Sequence, residues 1–219
     1  IKSCTWGGMG WVGCRGSAVC KLWIIGEGAP TERVSMLSSY ANVEIAPPID
    51  RALLDTPESA PAILALARLH WKKGLDVLLK AAADLPGAYV WIAGTGPLEA
   101  ELNTQAADLG LSDRVRFLGW RTDRAALLAA CDVVAFPSRY EPFGNVTIEA
   151  WASQRPLVVA DAAGPAATVT NEHDALLVPK DDVAALHTAL KRVIEDAELS
   201  RRLVENGLRS YEMGFTKTA

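Results

Sequence analysis

The chain has 219 residues, of which 50% are apolar and 22% charged, with a formal net charge of −4. This is an ordinary globular composition; its negative balance argues against nucleic acid as a main partner, and no apolar run approaches the ~18–20 residues of a transmembrane segment. The cysteines at 4, 14, 20 and 131 share no paired CxxC spacing, so neither a zinc site nor a disulfide framework is indicated. The first residues lack the basic, apolar and small-residue order of a secretory leader. A reduced, cytoplasmic protein is expected, with the inner membrane surface as the alternative location.

Residues 1–40 show no sustained period: Gly and Trp crowd into CTWGGMGWVGCRG, and the one strand-like run is Val19–Ile25. The stretch APPIDRALLDTPESAP reads as an irregular connector. The expected division is therefore an irregular N-terminal segment with its connector over 1–60, then one domain over 61–219. From Ala62 the pattern is regular. Ile63–Ala67 is a buried-strand run, after which Leu75, Leu78, Leu79, Ala82 and Leu85 fall on one helical face. Ala88–Ala93 is the second strand, and Pro97 is expected as the first residue of the next helix. Strands over Val115–Leu118 and Val133–Phe136 flank a helix at Asp123–Ala130. A turn at Pro142–Asn145 opens a helix carrying Glu149. Strands at Leu157–Ala160 and Leu176–Val178 follow, then a helix with Val183, Leu186, Leu190 and Ile194 on one side. A last helix runs from about Leu199 to Tyr211. Strands apolar throughout, alternating with helices, predict an α/β fold: a single doubly wound, Rossmann-like parallel-sheet domain covered on both faces. Its ligand site is expected at the carboxyl ends of the strands.

The chemistry-bearing residues fall in the loops at those ends. In RYEPFGNVTIEA, Glu141 precedes the helix and Glu149 lies about two turns into it, at about 1.5 Å rise per residue. Between them the first-turn amides of Phe143, Gly144 and Asn145 are unpaired donors with partial positive charge. Two carboxylates around a nest of donors suit an anionic, hydroxyl-rich ligand, such as a sugar joined to a nucleoside diphosphate. Arg68 and Lys73, in ARLHWKKG, leave the first strand and enter the first helix. Two cations there can clamp a diphosphate and stabilise it as a leaving group; the bland alternative is a solvated surface pair.

Gly94 and Gly96 in Gly94-Thr95-Gly96-Pro97 permit close approach of a ligand or of another loop. As a dinucleotide fingerprint that run lacks its third glycine, and Gly8–Gly13 matches the spacing without a preceding strand. Phe117 and Gly119 end the third strand, where backbone groups can read a nucleobase edge and Trp120 can stack on it; a core strand ending in a turn explains them equally. His70, His173 and His187 are scattered and read as surface or packing residues. Ser138 lacks the glycines of a nucleophile elbow, and Cys131 reads as a small buried hydrophobe.

Taken in order, these motifs resemble a known family. They are Arg68 with Lys73-Gly74, Gly94-x-Gly96-Pro97, Val115-x-Phe117-x-Gly119, Phe136-Pro137-Ser138, Glu141-Pro142-Phe143-Gly144 with Glu149-Ala150, Gly164-Pro165 and Leu176-Leu177-Val178-Pro179. From about Ala62 onward the chain resembles the C-terminal, donor-binding half of a retaining family 4 glycosyltransferase of the GT-B fold, glycosyl transferases group 1. The resemblance implies hexosyl transfer from a nucleotide-sugar to a glycan or lipid-linked acceptor, with retention, in polysaccharide biosynthesis. It implies that Arg68 and Lys73 hold the donor diphosphate and that Glu149 accepts hydrogen bonds from the two ribose hydroxyls. Glu141, with the backbone of Phe143, Gly144 and Asn145, would bind the transferred sugar and steady its oxocarbenium-like transition state. Glu141 and Glu149 are then not a glycosidase acid–base pair. Neither cofactor nor metal is expected, because the two cations stand where a metal would neutralise the pyrophosphate. Gly94, Gly96, Phe117 and Gly119 complete the expected substrate-binding set.

Three departures qualify the match. The family carries an N-terminal acceptor domain of similar size, and residues 1–40 do not read as its end. Ala166 and Ala167 stand where a glutamate often follows Gly-Pro, and the closing helix stops near Ala219. The alternatives are a non-catalytic nucleotide-sugar-binding module or subunit that needs a separate acceptor domain, and a GT-B sugar-nucleotide epimerase fragment. The intact Arg68, Lys73, Glu141 and Glu149 set favours glycosyl transfer over epimerase chemistry. The chain alone is expected to bind donor and transfer little.

Overall fold

The computed structural model describes residues 43–216. The strand-like run at Val19–Ile25, the Gly8–Gly13 match and Cys4, Cys14 and Cys20 lie outside the described residues. Six strands alternate with helices: β1 Ala62–Leu66, α1 Leu75–Ala83, β2 Tyr89–Ala93, α2 Glu99–Asp108, β3 Val115–Gly119, α3 Arg124–Ala130 and β4 Val133–Phe136. The order continues with α4 Asn145–Ala152, β5 Leu157–Ala160, α5 Ala163–Thr168, β6 Leu176–Val178, α6 Val183–Glu195 and α7 Ala197–Gly214. The strands form one parallel sheet in the order β3-β2-β1-β4-β5-β6. The chain winds outward from β1 through β2 to β3, then returns to lay β4 along the other side of β1. The winding direction therefore reverses between β1 and β4, and a crevice opens there at the strands' carboxyl ends.

Both faces of the sheet are apolar because both are covered. Along β1, Ile63 and Ala65 face one side, where α1, α2 and α6 pack. Leu64 and Leu66 face the other, with Trp91, Phe136 and the helices α3 and α4. This is the two-residue period of a strand, written in apolar residues on each row. The closing helix α7 joins both layers. Its Leu199 and Leu203 pack with α6, while Tyr211 and Phe215 reach the opposite cluster. Gly207 makes the crossing feasible, since a Cβ there would lie 2.4 Å from Cδ1 of Trp151 on α4. The indoles of Trp151 and Trp91 are fully buried, each burial worth about 1.5–3 kcal/mol. Their N–H groups donate to the Asp174 carbonyl at 2.8 Å and to Thr56 Oγ at 2.9 Å, so neither leaves an unmet donor.

The strands agree with the sequence pattern to within a residue, and the differences lie in the helix starts. α2 begins at Glu99 rather than Pro97, because the Leu98 amide donates to the Leu69 carbonyl of the neighbouring loop at 3.2 Å. α4 begins at Asn145, which puts Glu149 one turn into it rather than two. The six-residue α5 was not expected at all. The connector carries a 3-10 turn over Arg51–Leu54. Arg51 fastens it to the amino ends of the strands, donating to the carbonyls of Ala130 at 2.6 Å and Ala60 at 2.9 Å and pairing with Asp132 at 3.0 Å. Residues 50–60, grouped by sequence with the N-terminal segment, thus lie against the sheet on the edge opposite the crevice.

Candidate functional site

Two loops flank the crevice, residues 67–74 after β1 and 137–144 after β4. They are built against each other. Gly74 has φ +63°, and a Cβ there would meet the Pro137 carbonyl oxygen at 2.1 Å. The amides of Arg139 and Tyr140 donate to the Lys72 carbonyl at 2.8 and 3.2 Å. The Arg139 guanidinium donates to the Trp71 carbonyl and makes a forked pair with Asp76, each contact at 2.7 Å, and it also binds Asp181. Burial pushes the Asp76 carboxyl up, but the hydrogen bonds and charge of Arg139 outweigh that and hold it below the usual carboxylate range. Forked, charge-assisted bonds of this kind fix geometry as well as adding energy.

On this platform Lys73 Nζ donates to Glu141 Oε2 at 2.6 Å. Glu141 Oε1 accepts from the amides of Gly144 at 3.2 Å and Phe143 at 3.4 Å. Gly144, at φ +89°, is the residue that caps α4. Glu141 therefore satisfies two of the three amides that the sequence pattern left free for a ligand; Asn145 is exposed. The short helix α5 supports the same loop. The Gly164 amide donates to the Glu141 carbonyl at 2.8 Å, and a Cβ on Gly164 would stand 2.5 Å from the Phe143 nitrogen.

Glu149 projects from the first turns of α4 with its side chain 15% exposed. Its Oε1 accepts from Arg124 Nη1 at 3.0 Å, whereas Oε2 is buried and has no hydrogen-bond partner. Burial raises the Glu149 carboxyl above its ordinary range, and the charge and hydrogen bond of Arg124 pull against the rise. Beside it a cleft of about 490 Å³ opens at the ends of β1, β2 and β3. Arg68, Gly94, Gly96, Trp120, Arg121 and Arg124 are among the residues that line it. Arg68 is exposed and bonds to no described residue. Arg121 is already forked onto Asp123, at 2.8 and 2.5 Å. The Trp120 indole is 78% exposed.

The structure brings together Arg68, Gly94 and Gly96 around the cleft, with Lys73 and Glu141 paired beyond its rim. It also shows which loop the glycines admit. A Cβ on Gly94 would lie 2.0 Å from the Ala67 carbonyl oxygen and one on Gly96 2.3 Å from that of Leu69, so the loop after β1 requires both. Phe117 is half-buried against the core, and Gly119, at φ +64°, accepts from the Gly94 amide at 2.7 Å; neither lines the cleft. His70 Nδ1 accepts from the Lys72 amide, and His187 Nδ1 lies 3.1 Å from the Ala81 carbonyl, both in local packing roles. Burial pushes the Cys131 thiol up to about 12, as befits a small core residue. Sequence reasoning missed Arg124 and Arg139, and it named Gly164 within a motif without giving it a role. Only the Gly-Pro at 164 carried a motif signal; the two arginines look like any others until the loops are folded.

The family model for glycosyl transferases group 1 matches residues 48–210. The chain belongs to that family. Among its relatives, the lipopolysaccharide core biosynthesis glycosyltransferase LpsE of Rhizobium meliloti is 36% identical over 85% of this chain and 55% of its own length. The chain spans about half the length of the curated relatives it matches. Among solved structures, Anabaena HepE in complex with UDP-glucose aligns with a TM-score of 0.80 at 27% identity, over 91% of this chain and 58% of that one. The C-terminal domain of the group 1 protein LpcC from Francisella tularensis shares the fold, with a TM-score of 0.67 at 21% identity over 76% of this chain and 93% of its own. The described part of this group 1 family member therefore has the Rossmann-like architecture of a GT-B C-terminal domain. No helix among the described residues is long and apolar enough to cross a membrane.

Proposed function

We propose that this domain binds a nucleotide-sugar and presents its anomeric carbon for transfer, with retention, to a glycan or lipid-linked acceptor, as a family 4 hexosyltransferase does. The observation that carries the reading is Glu149 Oε2, buried without a donor beside the cleft. Buried acceptors are rarely left unpaired, and the vicinal hydroxyls of a ribose are donors of the right number and reach for such a carboxylate. Arg68, which lines the cleft and bonds to no described residue, and Lys73 then hold the diphosphate. The bond from the anomeric carbon to the diphosphate oxygen breaks, one to the acceptor oxygen forms, and the acceptor's hydroxyl proton passes to the departing diphosphate. The two cations neutralise the charge that grows on the leaving group, so that no metal is needed for that task. Glu141, fixed by Lys73 and by the start of α4, lies where the sugar extends from the diphosphate and steadies the positive charge at its anomeric carbon.

The UDP-glucose bound by HepE and the lipopolysaccharide core role in the name of LpsE support a nucleoside diphosphate hexose as donor and an envelope glycan as acceptor. Such an acceptor would place the work at the cytoplasmic face of the inner membrane. Calorimetry with UDP, GDP and ADP and with their glucose conjugates tests the assignment. Glu149→Ala should weaken a nucleotide and its conjugate alike by about one to two decades, and Glu141→Ala chiefly the conjugate. Binding untouched by Glu149→Ala would remove the ribose assignment, and equal losses for both ligands in Glu141→Ala would remove that of the sugar.

A further inference from the structure

We propose that Arg124 is a positioning residue for the nucleotide: it holds Glu149 by one oxygen and so keeps the carboxylate as the ribose acceptor. The inference rests on the reading of Glu149 given above. Arg124 is the first residue of α3, at the carboxyl edge of the sheet, and its side chain forms part of the cleft wall. Its Nη1 lies 3.0 Å from Glu149 Oε1, while Oε2 has no partner. The other cations of the cleft are differently placed: Arg121 is committed to Asp123, and Arg68 bonds to no described residue.

Among the described residues, Arg124 is also the only countercharge that opposes the burial of Glu149. The strands β4 and β5 and the helix α5, which surround α4, carry VVAF, LVVA and AGPAAT and have no charged side chain. The charged residues of α7, from Glu198 to Glu212, exert no resolved effect on it, nor does Asp123 beside Arg124. Without Arg124, burial would be unopposed and would favour the protonated carboxyl. A protonated oxygen donates rather than accepts, and the charge-assisted bonds from the ribose would be lost. Arg124 thus acts through Glu149, and its influence on binding must depend on pH. A cation that touched the phosphates directly would matter equally at every pH.

The test is calorimetry of UDP-glucose binding to the full chain across a series from acid to alkaline pH. It is paired with 13C NMR titration of the Glu149 carboxyl in the ligand-free protein. Arg124→Met should bind about 10-fold more weakly at the acid end and converge on the wild type at the alkaline end, with its Glu149 midpoint moved up. Arg124→Lys should restore most of both. A loss of the same size at every pH, no loss at any pH, or an unmoved Glu149 midpoint would overturn the proposal. The NMR midpoint needs no ligand, so it reads Arg124 whatever the donor. Glu149→Gln should bind weakly and without pH dependence; wild-type affinity in that variant would instead overturn the ribose assignment on which the proposal stands.

Discussion

Replacing Gly164 with alanine should damage sugar recognition while leaving nucleotide recognition intact. The added Cβ would lie 2.5 Å from the Phe143 nitrogen and 2.7 Å from its Cα, both of them backbone atoms that cannot rotate away. Ordinary contact begins near 3.4 Å, so α5 and the 141–144 loop must separate by about 0.9 Å, the difference between 3.4 and 2.5 Å. That loop carries Glu141, whose Oε1 is already at the long limit of its bonds to Gly144 and Phe143, 3.2 and 3.4 Å. A shift of that size breaks them and moves the carboxylate off Lys73. Overpacking of this kind costs about 1–3 kcal/mol of stability, which a domain of this size survives. A misplacement of about 1 Å at a reacting centre costs on the order of 100-fold in rate. Calorimetry should show a nucleoside diphosphate bound as in the wild type and its glucose conjugate gaining little from the sugar. The same affinity as wild type for both ligands, or an equal loss for both, would refute the idea that α5 sets the position of Glu141.

Lys73→Met should weaken nucleotide and conjugate alike by about one to two decades, since it removes a charged partner from the diphosphate; calorimetry reads it directly. Arg51→Ala should lower unfolding free energy by about 1–3 kcal/mol in urea and open residues 50–60 to protease, with donor affinity unchanged because the turn lies at the opposite edge of the sheet. The stability of the ligand-free protein should respond to pH in two opposite ways. The Asp76 carboxyl is depressed in the folded state, so its contribution is present above the ordinary carboxylate range and is lost as pH falls through the depressed value; melting curves of Asp76→Asn should lose that acid limb. The Glu149 carboxyl is raised, so the folded state binds its proton more tightly and stability falls as pH rises through the raised value. Glu149→Gln should therefore melt higher than wild type near neutrality and lose that advantage in acid.

Nearly all of the fold was legible because its signal is written twice. β1, AILAL, is buried at every position, and only a parallel sheet covered on both faces asks for apolar residues on both rows of a strand. The helix starts were less legible where tertiary bonds decide them. Pro97 is a good first helical residue locally, yet the Leu98 amide is drawn to Leu69 in the neighbouring loop after β1. α5 escaped because Gly164-Pro165 within six residues reads as a breaker, whereas here the glycine is required by the backbone of Phe143. In the candidate site, the carboxylates and cations at the strand ends were readable from residue type and spacing. Their supports were not, because Arg139 joins positions that are remote in sequence, Trp71, Asp76 and Asp181, and Arg124 meets Glu149 25 residues away. Phe143 and Gly144 show a further limit, since a free amide at a helix start is free only until a neighbouring side chain such as Glu141 takes it.

A crystal structure of the chain with UDP-glucose bound tests the central claim most directly. The account places both ribose hydroxyls within hydrogen-bonding distance of Glu149, about 2.5–3.0 Å, the diphosphate between Arg68 and Lys73, and the glucose against Glu141. A nucleotide seated elsewhere, for instance in the groove between β6 and α6 lined by Asn171, Asp182 and Arg192, or one in the cleft with its ribose turned away from Glu149, would contradict it.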